Sequence, residues 1–187
     1  MNLLLLLSLN SFASPHIDAM QKLSLPHVVE TTIQVGDDTF VNVKYHGLNK
    51  PEADNAIKII TVSSKLALSY LNNNGFDASD CKNPGLDVYD INDKDLNNRT
   101  LMSFVNWEKR SSRGIYAFYD SLLAPKGRAS IFMTSSDRVD AAGLSESKRK
   151  IILSHEIMHY WQDRTCNLDG DIENQASQFG THAASHL

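Results

Sequence analysis

From Ser145 to Arg164 the chain carries apolar residues on two opposite sides of a predicted helix. At about 100° per residue, Ile151, Ile152, His155, His159 and Gln162 share one side, while Leu153, Ile157, Tyr160 and Trp161 load the other. A helix that is apolar on both sides must be buried, so any fold of this chain has to wrap the segment. That burial encloses two histidines and Glu156, and buried polar groups are costly unless something satisfies them. A metal ion does so. His155 and His159 lie about 40° apart around the axis and one turn along it, which lets both imidazoles address one ion. Glu156 sits at the edge of the same face, within reach of a water there without being a ligand itself.

A catalytic zinc site usually has three protein ligands. Glu173 is the candidate for the third. In a predicted last helix, Glu173, Ala176, Ser177, Gly180 and Ala184 fall within about 60° of one another, and all but Glu173 are small. Small residues allow close helix approach, so the stripe is expected to lie against the His155–His159 helix with Glu173 aimed at the ion. Gly180 costs up to about 1 kcal/mol in a helix interior, which favours a packing reason for its presence. Asp169 and Asp171, in the connecting loop, are rival ligands, although Asp is also an ordinary turn or cap residue. His182 and His186 project roughly opposite to Glu173 on a regular helix and cannot serve the same ion.

Upstream, Val28 to Val35 and Thr39 to Tyr45 flank Gly36-Asp37-Asp38 and read as a β-hairpin. Pro51 opens a long helix whose apolar residues recur at three- and four-residue steps, and Gly75 is placed to cap its end in the left-handed conformation. Short extended segments follow at Leu86 to Ile91, Leu101 to Trp107, Ile115 to Tyr119 and Ala129 to Thr134, separated by turn-prone residues. Ser145 and Asp171 are the expected N-caps of the last two helices. The order implies a single α+β domain, with helices packed on one face of a mostly antiparallel sheet.

A net charge of -4 argues against nucleic acid as the main partner. The densest basic run, Lys148-Arg149-Lys150, is expected on a solvated face. Leu3 to Leu7, Ser8 and Leu9 form a short apolar run followed by Ser11-Phe12-Ala13, the layout of a signal peptide over residues 1–14 cut near Ala13. The domain proper would then span residues 15–187, in a secreted or periplasmic protein. No later segment approaches the roughly 20 apolar residues of a membrane helix, so stable insertion is not expected. In an oxidising compartment Cys81 and Cys166 are expected to form a disulfide, which could contribute about 4 kcal/mol by closing a long loop; the competing readings are two free thiols, or one of them as a metal ligand.

His155-Glu156-Ile157-Met158-His159 followed by Glu173 resembles the zinc-binding pattern of the gluzincin metallopeptidases. Gln162 and the run Glu173-Asn174-Gln175-Ala176 resemble the HExxHxxQ and later ExxA of small neutral zinc peptidases. The likeness covers about residues 145–184. It implies a zincin-like fold, a Zn2+ ion on His155, His159 and Glu173, Glu156 as general base, and a peptide or protein substrate. It also implies an edge strand before the active-site helix that pairs with extended substrate, a slot occupied by Ala129 to Thr134, for which an interior strand is the equal alternative. Tyr116, Tyr119 and His182 are candidates for a second oxyanion donor. The alternatives are a catalytically inactive zinc-binding domain, an exported structural protein whose HExxH is accidental, and a deformylase-like amidase, a group that uses the same helix with a Cys ligand but whose surrounding pattern Cys81 lacks.

Overall fold

Period-two alternation of Val, Thr and Ile on either side of Gly36 produces the hairpin: β1, His27–Gln34, pairs antiparallel with β2, Phe40–Gly47. The computed structural model describes residues 27–47, 50–77, 85–91, 117–120, 128–134, 146–165 and 171–187. The expected signal peptide, the strand expected over Leu101 to Trp107, the Ser145 cap and both Cys81 and Cys166 lie outside these residues. After β2 the chain enters α1, Lys50–Asn73, which ends where Gly75 takes a φ of 80° that other residues rarely adopt. Three further strands are β3, Gly85–Ile91, β4, Ala117–Asp120, and β5, Arg128–Thr134. Two helices close the order, α2, Glu146–Arg164, and α3, Ile172–Ala184, so the chain is α+β.

The sheet runs β1-β2-β3-β5-β4. It is mixed, not mostly antiparallel as expected. The helix α1 carries the chain from the end of β2 back to the start of β3, which makes those strands parallel, and β5 pairs parallel with β3. β4 pairs antiparallel with β5 from the outside. Of the two readings of Ala129 to Thr134, the interior strand holds and the substrate-pairing edge does not: among the described strands, the edge on that side of the sheet is Ala117–Asp120.

One face of the sheet carries Val41, Val43, Tyr45, Leu86, Val88, Ile131 and Met133 into a core shared with all three helices. The helix α2 is buried as its two-sided apolar pattern requires: Leu153, Ile157, Met158, Tyr160 and Trp161 have no exposure. Ser63 and Ser154 hydroxyls, 2.8 Å apart, tie it to α1. The helix α3 buries Ala176, Phe179, Gly180 and Ala183, while Ser177 is exposed and Ala184 half-buried. The buried stripe is therefore rotated from the expected one, because Phe179 also reaches Tyr70 of α1, with ring centroids 6.5 Å apart. Gly180 nevertheless stands at the α2–α3 crossing. A Cβ there would lie 2.7 Å from the Ile151 carbonyl oxygen and 3.2 Å from the His155 amide nitrogen.

The basic run is not all solvated. Lys148 is exposed and Lys150 pairs with Glu146 at 3.2 Å, but Arg149 is buried and its Nη2 donates to Asp90 Oδ2 at 2.7 Å. The Tyr45 hydroxyl donates to the same oxygen at 2.7 Å. Asp90 is wholly buried, and this network bolts the end of β3 to the first turn of α2. Among the described residues, no helix is long and apolar enough to cross a membrane.

Candidate metal centre

The spacing that put His155 and His159 on one helical face brings their rings together: the two Nε2 atoms lie 3.0 Å apart. Asp171 caps α3 by accepting from the Asn174 amide at 3.1 Å, which starts the helix so that Glu173 falls in its first turn. The Glu173 carboxylate then stands 3.6 Å from His155 Nε2 and 3.4 Å from His159 Nε2. These three side chains form a group able to hold a metal ion, with one atom from each within 4.8 Å of the others.

The donor set and its dimensions fit zinc. Ligand atoms about 2.0–2.1 Å from a tetrahedral ion stand roughly 3.3–3.4 Å from one another. The two Nε2 atoms are 3.0 Å apart, Glu173 Oε1 is 3.4 Å from that of His159 and Oε2 is 3.6 Å from that of His155, distances of the same order. Burial, and then the neighbouring His159, push the His155 imidazole below its ordinary pKa against the opposing pull of Glu173. A neutral ring is the form that ligates. His159 is braced from behind, with Nδ1 2.8 Å from Gln162 Oε1. His155 has a longer contact, 3.5 Å from Nδ1 to the Ser177 hydroxyl. The histidines are half-buried, whereas the Glu173 side chain is 72% exposed, so the group opens to solvent on the α3 side. That opening is where a water or substrate would enter.

The other expected residues divide. Glu156 is buried on α2, next in the chain to His155. Asp171 is the α3 cap, and Asp169 lies outside the described residues, as does Tyr116. The Tyr119 hydroxyl donates to Asp163 at 2.6 Å, and His182 is exposed with its ring 4.6 Å from that of His186. Neither is placed at the metal group by a hydrogen bond to it. Sequence reasoning did not find what Gln162, Gln175 and Ser177 do around the histidines. The available signal was the three-residue step from His159 to Gln162, which puts the amide one turn along the same face.

No protein-family model, characterised protein or solved structure matches the chain.

Proposed function

We propose that this chain is an exported zinc metallopeptidase with a zincin-like fold, in which His155, His159 and Glu173 hold the ion. The observation that carries the proposal is the convergence of two imidazole nitrogens from α2 and a carboxylate from α3, with one atom of each within 4.8 Å of the others. A bound zinc ion would supply Lewis acidity at a scissile carbonyl and lower the pKa of water towards 7. The chain's own contribution is the proton path. Glu156 accepts the proton of the attacking water and delivers it to the leaving amine, the general-base role its position after His155 supports. The exposed side of Glu173 leaves room for a peptide at the centre. Among the described strands β4 is at the sheet edge, a position from which a backbone ladder could pair with an extended substrate.

Glu156→Gln is the decisive variant. It removes the base and keeps the shape, so peptide hydrolysis should fall by at least about 100-fold while zinc content is unchanged. Wild-type turnover that survives the change would overturn the mechanism. A wild-type protein that holds zinc yet cleaves no peptide library would instead be the inactive zinc-binding domain.

A further inference from the structure

Gln162 is buried in the last turns of α2 and places both amide atoms against the metal centre. Its Oε1 lies 2.8 Å from His159 Nδ1. Its Nε2 donates to the Ile172 backbone carbonyl at 3.1 Å and to Gln175 Oε1 at 3.2 Å. A backbone carbonyl only accepts, so the amide nitrogen must face Ile172 and the oxygen must face the imidazole. That oxygen in turn accepts only from a protonated Nδ1. A neutral ring with its hydrogen there leaves the Nε2 lone pair bare, on the side where His155 and Glu173 stand. Ile172 is the residue next to Glu173 and begins α3. One side chain therefore touches the two elements that must meet for the ligand set to close.

We infer that Gln162 is a positioning residue of this centre: it fixes the tautomer and ring plane of His159 and docks the first turn of α3 so that Glu173 reaches the histidines. The inference rests on the proposed zinc site for its function, while the tautomer follows from the hydrogen bonds alone. Among the described residues, the Nδ1 side of His155 meets the Ser177 hydroxyl at the longer distance of 3.5 Å. The shorter of the two supports among the described residues is therefore the one at His159.

The test compares Gln162→Met, which keeps the length and removes both polar contacts, with Gln162→Glu, which keeps an acceptor for His159 Nδ1–H and loses the donor to Ile172. Zinc dissociation constants are read by competition with a chromophoric chelator, and the ligand field from the visible spectrum of the cobalt-loaded protein. Removing such a support typically weakens metal binding by about 10- to 100-fold. Gln162→Met should show that loss with a shifted cobalt spectrum, and Gln162→Glu, which keeps the contact to His159 and loses the docking of α3, should have an affinity between that of Gln162→Met and that of the wild type. Ser177→Ala should change it little. Wild-type affinity and spectrum in a folded Gln162→Met protein would overturn the inference, as would a Gln162→Glu protein no better than Gln162→Met. Nitrogen chemical shifts of His159 in the metal-free chain separate this from a failure of the zinc reading. A wild-type chain that binds no zinc sinks the proposed function, whereas a His159 protonated at Nε2 instead of Nδ1 sinks the role of Gln162.

Discussion

Two aspartates on β3 show how neighbours decide the behaviour of a side chain. Asp87 and Asp90 point to opposite faces of the sheet because strand side chains alternate. Burial opposes the charge of Asp87, but His46 at 2.9 Å and the Arg128 guanidinium together outweigh it and hold the carboxyl below its usual range. At Asp90 burial wins, aided by Glu52, against Arg149 and Tyr45, and the carboxyl is pushed up to about 6. A folded-state pKa above the unfolded value of about 3.9 stabilises fully below that value and loses its effect as pH rises through about 6. The difference amounts to roughly 3 kcal/mol at most. Asp90→Asn should therefore flatten the dependence of unfolding free energy on pH between about 4 and 6.5, measured by urea titration. Identical slopes in variant and wild type would refute this. Arg149 was hidden in the sequence for the same reason: its partner Asp90 is 59 residues away, and three adjacent cations read as a solvated face. The histidine pair was legible because a four-residue step on a helix needs no tertiary information.

Elements formed where local chemistry agreed with the fold. The hairpin around Gly36, the left-handed Gly75 and the Asp171 cap are decided within a few residues, and each stands where the sequence indicated. Strand direction was not local: the parallel pairs β2–β3 and β3–β5 follow from where connecting segments cross, which no period in the sequence encodes. The packing of α3 was legible in part. Gly180 signalled a close helix crossing, while the presence of Phe179 on the buried face depends on α1 and lies beyond the small-residue pattern. Gly180→Ala tests the crossing. Alanine favours the helix by up to about 1 kcal/mol, but its Cβ would press on the Ile151 carbonyl and on His155. Overpacking of this kind costs about 1–3 kcal/mol, so the net effect should be destabilising and zinc affinity should fall. An unchanged or higher urea midpoint with unaltered zinc binding would show that α3 has room to move.

At the scale of the molecule, the sheet and α1 form a platform that fixes α2. The Asp90–Arg149 link and the Ser63–Ser154 contact hold that helix at two points along its length. The helix α3 then docks on its exposed flank and brings in Glu173. Such an order makes the two histidines part of the rigid body and the carboxylate the adjustable ligand. Zinc that binds the folded chain and not the unfolded one would stabilise it in proportion to the logarithm of its concentration. It would do so chiefly by securing α3.

Zinc content of the purified, folded chain after metal removal and reloading is the most direct measurement. The account predicts about one tightly held ion per chain in the wild type and none in His155→Ala. A folded wild-type chain that takes up no zinc, or a His155→Ala chain that holds as much as the wild type, would contradict it.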